Sequence, residues 1–394
     1  MKKAKSMPVF TANYPAAVPG KITLMSTPER MQALPEYTGK GVVMAFVDSG
    51  FYEHPDLDKR VITYIDATTE RIKEGKRFNK SAPYSWHGQM TSVIAAGNGK
   101  ISGGAYRGIA SNAELILIKV MTEDFQLKEA DILRGLRWIL GNLTRYKIDI
   151  VNLSVGGDFV SNDPDHPIHR AIRDLTSAGV VVVAATGNHD KGRVFPPAST
   201  PEAITVGGYN DHNTLDRTQW TGFHNNWGHD YHGNQKPDIL APAIWIASPI
   251  LPNTEVDKEA RWLGPLLQKP NQNILRELVT LGRTEFLKRR FEKEHPDEDV
   301  YAAMQEKIHA HKLINAHYQH VDGTSVAAPI VSSIIAQMLE VNPQLKPEQI
   351  RTILTKTATP LEQLPKEKQG SGAINAAEAV RSALRLKGKD KGKK

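Results

Sequence analysis

The sequence predicts a doubly wound α/β domain: a mostly parallel sheet with helices on both faces, interrupted late in the chain by a helical insertion. Three observations carry this. From Gly41 to Pro242, short apolar runs alternate with longer helix-patterned ones, the rhythm of a parallel sheet with crossover helices. The short runs are continuously apolar, as strands covered on both faces are. The rhythm stops between Thr254 and His320, where Glu, Lys, Arg, Leu and Gln dominate, and it resumes at Gly323.

Taken in order, residues 1–39 are punctuated by Pro and Gly and read as an N-terminal arm with one short helix near Pro28 to Leu34. Strands are expected at Val42–Val47, Glu114–Val120, Ile148–Leu153, Val180–Ala184 and Ala203–Gly207. Helices are expected between them at His87–Ala96, Lys128–Asn142 and Pro167–Ala178. In the insertion, 254–320, the segments Ile274–Glu294 and Asp299–Tyr318 repeat apolar residues at helical spacing, as in Leu275, Leu278 and Leu281. Its length of roughly 65–80 residues is too great for a plain loop. Helices at Ser325–Val341 and Ile374–Leu386 complete a domain spanning 40–386, and the basic tail 387–394 reads as a solvated end.

Composition narrows the function classes. With 394 residues and 40% hydrophobic content the chain can bury a substantial core. It has no cysteine, which removes disulfides, thiol nucleophiles and Cys-ligated metals. The N-terminus is basic but has no apolar core behind it, and no run approaches the ~20 apolar residues of a membrane span. A cytoplasmic protein is therefore expected, or a secreted one if a leader has been removed, with no membrane partner. Part of the net charge of +7 sits in a tail that lacks aromatic residues, so no nucleic-acid partner is expected.

Four short segments carry chemistry. Asp48 ends the apolar strand from Gly41, at the strand edge where sites form in open α/β sheets; alone, Asp48-Ser49-Gly50 is also good turn chemistry. His87-Gly88 opens a helix, and Gly88 lets another segment approach it closely. Alone, His87 is more simply a structural histidine. Ala185-Thr186-Gly187-Asn188 offers a side-chain amide. Gly323-Thr324-Ser325-Val326-Ala327-Ala328-Pro329 opens a helix with a hydroxyl at its positive end. There Pro329 lacks the N–H that would bond the Ser325 carbonyl, and the bland reading is an N-cap. Together an acid, a base, an amide donor and a hydroxyl are what acyl transfer to water needs.

These segments, in this order, resemble the subtilisin-like serine proteases of peptidase family S8. The likeness extends to Asp149–Gly157, Phe195-Pro196-Pro197-Ala198, Lys236-Pro237-Asp238 and Gly372-Ala373-Ile374-Asn375-Ala376, covering residues 41–242 and 321–383. It implies a three-layer α/β/α fold and a serine endopeptidase acting on peptide or protein substrates. Ser325 would be nucleophile, His87 base and Asp48 the orienting acid, with Asn188 in the oxyanion hole and Ser154, Val155 and Gly156 along the substrate. With 47 residues before Asp48 and no visible pro-domain, it resembles the intracellular members or the mature part of a processed one.

The chain departs from the family at His87-Gly88-Gln89-Met90 and at Val326, where Met commonly follows the nucleophile. No cofactor is expected to be required. Structural calcium lacks a clear ligand motif, because Gly97–Gly104 has no carboxylate. His309, His311, His317 and His320 are read as helix-surface residues rather than a metal site. The insertion, just upstream of Ser325, is expected beside the leaving-group side of the cleft, restricting access or docking a protein partner. The alternative function is a catalytically silent or partner-recruiting protein acting through that insertion.

Overall fold

A computed structural model describes residues 10–15, 24–75, 81–157, 159–268 and 298–391. The chain divides into two compact units, Met25–Ile246 with Asp322–Lys394, and Met1–Leu24 with Ala247–Val321.

The first unit is built on strands β1 (Val43–Asp48), β2 (Val61–Asp66), β3 (Lys73–Gly75), β4 (Glu114–Lys119), β5 (Ile150–Leu153), β6 (Val181–Ala185), β7 (Ile204–Asn210), β8 (Thr221–Gly222), β9 (Gly228–His229), β10 (Gln235–Lys236) and β11 (Ile239–Pro242). The main sheet runs β11-β7-β6-β5-β1-β4-β2-β3, with β8 beside β7. Neighbours from β11 to β2 are parallel, while β3 and β8 pair antiparallel. The five expected strands are present with their ends moved by a few residues. The apolar rule overlooked β2, β3 and β11. β3 is a short edge strand of Lys-Glu-Gly, and charged edges carry no apolar signal.

Helices α1 (Thr27–Arg30), α2 (Ser85–Ala96), α3 (Glu129–Tyr146) and α4 (Pro167–Ser177) precede the insertion, which holds α5 (Glu255–Gln268) and α6 (Glu298–Ala310). After it come α7 (Thr324–Val341), α8 (Pro347–Thr357), α9 (Lys366–Gln369) and α10 (Ala376–Lys391). α1 is shorter than expected: Ser26 caps its start, and Gln32 turns left-handed at φ 47° just past its end. α10 does not stop at Leu386 but continues to Lys391, and the Lys387 ammonium donates to the Val341 carbonyl at 2.7 Å. The expected disordered tail 387–394 is thus helical as far as Lys391, and residues 392–394 lie outside the described residues.

α3 packs on β1 and α4 on β6, covering one face. There Ile132, Leu136, Ile172 and Leu175 meet Val43, Val47, Val151 and Val182. α2 lies against β1 on the other face, and α7 against β5, β6, β7 and β11, with α10 packed on α7. Each buried Leu, Ile or Val contributes about 1.5–3 kcal/mol. α7 is buried along nearly its whole length, so it carries no amphipathic stripe. It is the one described helix long and apolar enough to cross a membrane, but 89% of that stretch is buried in the fold.

Sheet order positions the site. From β1 the chain builds outward through β2 and β4 on one side, then returns to β5, β6 and β7 on the other. The carboxyl ends of β1 and β5 thus flank the point where strand order reverses, the crevice where open α/β sheets bind ligands.

In the second unit, β12 (Ile246–Pro249) pairs with β13 (Tyr318–Val321). Phe10, Trp262, Leu263, Leu266, Met304, Ile308 and Leu313 share one core. The N-terminal segment is stitched to α6, with Thr11 N–H donating to Gln305 Oε1 at 2.8 Å and Gln305 Nε2 to the Thr11 carbonyl at 2.7 Å. The expected helix Ile274–Glu294 lies outside the described residues. The one expected across Asp299–Tyr318 ends at Ala310, and the chain returns as β13. The histidines there take separate partners. His309 Nε2 meets the Thr11 carbonyl at 3.0 Å, His311 Nε2 the Glu259 carboxylate at 2.5 Å and His320 Nε2 Asn13 Oδ1 at 2.5 Å.

Candidate active site

Asp48 is the last residue of β1 and is fully buried. A lone buried carboxylate would be costly, but this one is hydrogen-bonded on both oxygens. Its Oδ1 accepts the Ser49 N–H at 2.6 Å and lies 2.6 Å from His87 Nδ1. Its Oδ2 accepts the Thr91 hydroxyl at 2.9 Å. An ionised carboxylate only accepts, so His87 carries its proton on Nδ1 and leaves Nε2 bare.

His87 is the third residue of α2, not its first. Thr91, one helical turn on, presents its hydroxyl on the same face, an i, i+4 relation that motif reading overlooked. The close approach expected at Gly88 is there: a Cβ would sit 2.1 Å from the Gly50 carbonyl oxygen. Any other residue would push β1's loop off the helix. Burial of the imidazole pushes its pKa down, while the charge and hydrogen bond of Asp48 push it up, and the net shift is upward. The ring keeps 30% of its surface exposed.

Asn188 follows β6, and its orientation is set by α7. Its Oδ1 accepts the Thr324 N–H at 2.8 Å and the Thr324 hydroxyl at 2.9 Å. A backbone donor on one side-chain atom identifies that atom as oxygen, so the amide nitrogen faces the other way. Thr324 in turn accepts the Gly187 N–H at 3.0 Å. Gly323, before it, has φ 139°, and a Cβ there would come within 3.3 Å of Asn188 Nδ2. Asn226, also overlooked in the sequence, is buried and accepts the His189 N–H at 2.9 Å, while its own N–H donates to the Gly187 carbonyl at 2.9 Å.

Ser325 is partly exposed between buried neighbours at the start of α7. Its carbonyl, freed by Pro329, accepts the Ser154 hydroxyl at 3.1 Å. Ser154 Oγ also accepts from Asn152 Nδ2 at 3.0 Å, so this hydroxyl is committed to the scaffold. Ser154, Val155, Gly156, Asn188 and Ser325 line one cavity of about 380 Å³, together with Gly157, Ala185–Gly187, His189, Lys191, Phe195, Asn226 and Thr324. Two groupings result: Asp48 with His87 and Thr91, and Asn188 with Ser325 and the Ser154–Gly156 segment. β1 and β5 run side by side in register, their last pair being Val47 and Leu153, and Asp48 and Ser154 are the next residue on each segment.

The carboxylate-free loop 97–104 receives a carboxylate from elsewhere: Asp56, buried, whose Oδ1 accepts the Ile101 N–H at 2.9 Å. Among the described residues no group of three or more His, Cys, Asp or Glu is placed to hold a metal ion.

This fold, with an acid–imidazole pair at the switch point and a serine opening a buried helix, defines a subtilisin-like serine protease. The Subtilase family model of the S8 peptidases matches residues 39–372, and the chain belongs to that family. Serine protease AprX of Bacillus subtilis (strain 168) is 31% identical over 353 residues, covering 87% of this chain and 67% of AprX. Subtilisin Savinase of Lederbergia lenta is 26% identical over 349 residues, covering 87% of this chain and 92% of its own length. Among solved structures, a serine-to-alanine mutant of the protease domain of PatA superposes with a TM-score of 0.61 at 19% identity, covering 90% of this chain and 99% of that one.

Proposed function

We propose that the chain hydrolyses peptide bonds by acyl transfer through Ser325, with His87 as general base and Asp48 as its orienting partner. The observation that carries the proposal is the Asp48–His87 contact of 2.6 Å, which leaves Nε2 as the proton acceptor. A serine hydroxyl is a poor nucleophile near neutral pH and needs such a base. As Ser325 Oγ bonds to the scissile carbonyl carbon, its proton passes to His87 Nε2, and the carbonyl π pair moves onto oxygen. Asn188 Nδ2 and the Ser325 N–H are the proposed donors to that oxyanion, aided by the positive end of α7. Collapse expels the amine, which takes the proton from His87, and water then hydrolyses the acyl-serine by the same steps in reverse. Ser154, Val155 and Gly156 are proposed to flank the bound peptide. The proposed chemistry needs no cofactor.

Fluorophosphonate labelling tests this reading. One equivalent should attach at Ser325, and Ser325→Ala should lose both labelling and peptide hydrolysis while keeping its circular dichroism spectrum. Labelling at another serine in that variant would overturn the assignment. A folded protein that neither labels nor hydrolyses any peptide would favour a silent binding protein.

A further inference from the structure

We propose that the cavity beside Ser325 selects substrates with an acidic side chain on the residue that bears the scissile carbonyl, and that Lys191 is the specificity-determining residue. The inference rests on the protease reading above. The cavity opens next to Ser325 and Asn188, so the side chain adjoining the attacked carbonyl is the one that enters it. Val155, Ala185 and Phe195 give it an apolar body, Lys191 and His189 are its ionisable lining residues, and none of the lining residues is a carboxylate.

The segment 189–192 that carries Lys191 is fastened along its length to 224–227. Asp190 N–H donates to the His224 carbonyl at 2.9 Å, Trp227 N–H donates to the Lys191 carbonyl at 3.0 Å, and Gly192 lies against the Trp227 ring. The Lys191 backbone is thereby held at the cavity rim. Asp190, its neighbour, could cancel its charge but pairs instead with Lys368 at 2.6 Å. Arg193 adds further positive charge behind the cavity wall, its guanidinium 5.5 Å from the Phe195 ring centroid. Glu129 lies behind Gly157, and His166 faces it at 3.6 Å. Lys191 is exposed at the rim, and none of the lining residues would oppose a substrate carboxylate brought into this space. A substrate Lys or Arg would bring a like charge toward Lys191, a repulsion that salt screens at this exposed rim.

Matched chromogenic peptides differing only at that position, Glu, Gln, Leu and Lys, test this. Glu should exceed its isostere Gln in kcat/KM by about tenfold, and Lys should be the poorest. The Glu/Gln ratio should shrink as ionic strength rises from about 0.01 to about 1 M, where screening shortens from ~30 to ~3 Å. Lys191→Gln should bring the ratio close to one, and Lys191→Glu should invert the order of Glu and Lys. Hydrolysis with Glu no better than Gln, or a ratio indifferent to Lys191→Gln, overturns this inference and leaves the protease reading standing. Absence of both labelling and hydrolysis for every peptide overturns the two together.

Discussion

Asn188 carries a structural bond and the proposed oxyanion donor on opposite ends of one amide. Its oxygen holds Thr324, and its nitrogen is the proposed donor to the oxyanion. Asn188→Ala should lower kcat by about 10²–10³ with little change in KM, because the donor acts in the transition state. Stopped-time assays over a range of substrate concentration check this, and a loss confined to KM would assign Asn188 to ground-state binding. The Asp48–His87 pair makes a statement about pH. Protonated His87 cannot accept a proton, so activity should rise with pH through the His87 pKa. The Asp48 carboxylate raises that pKa against the opposing effect of burial. Asp48→Asn should therefore move the rising limb of kcat/KM to lower pH, while kcat falls by about 10⁴ as the tautomer preference is lost. An unmoved limb would show that another group controls it.

At the element scale, the N-terminal segment is part of a core. Phe10 is 3% exposed and packs with Trp262, Leu263, Met304 and Ile308. Phe10→Ala should cost about 3–5 kcal/mol of local stability, the usual penalty for emptying a buried aromatic site. Hydrogen exchange should show it as faster amide exchange across α6, with the β5 amides as internal reference. Equal protection in both proteins would mean that this core does not depend on the segment. α7 makes the converse point about reading elements. It packs on α2, α10 and several strands at once, so its sequence is apolar all round and shows no face.

For the whole molecule, stability rests on packing and on buried polar pairs, since cysteine is absent. The Arg30 guanidinium illustrates the second class: buried, it bonds both Asp211 oxygens, at 2.7 and 2.9 Å, and the Trp245 carbonyl at 2.7 Å. Burial pushes its pKa down and Asp211 pushes it up. Breaking such a pair leaves an uncompensated charge, so Arg30→Ala should destabilise the protein by about 3–5 kcal/mol. Thermal melting should show this equally with and without reductant, and a reductant-dependent melting temperature would be inconsistent with a cysteine-free fold.

By itself the sequence determined the family, the parallel strands at the centre of the sheet, and the four candidate residues Asp48, His87, Asn188 and Ser325. Those features are local: short apolar runs bounded by turn residues and alternating with helix-patterned segments read as strands covered on both faces, and each motif keeps its turn or helix start within a few residues. The tertiary structure alone decided what depends on distant partners. Thr91 bonds Asp48 across two elements, and Thr324 fixes the Asn188 amide from 136 positions away. The Ser154 hydroxyl is spent on the Ser325 carbonyl, and Asp56 reaches the loop at Ile101. Segment 10–15 joins the core of an insertion some 300 residues later. A hydrogen bond or a packed ring is specified by position in space, and sequence separation holds no record of it until the sheet has ordered the chain.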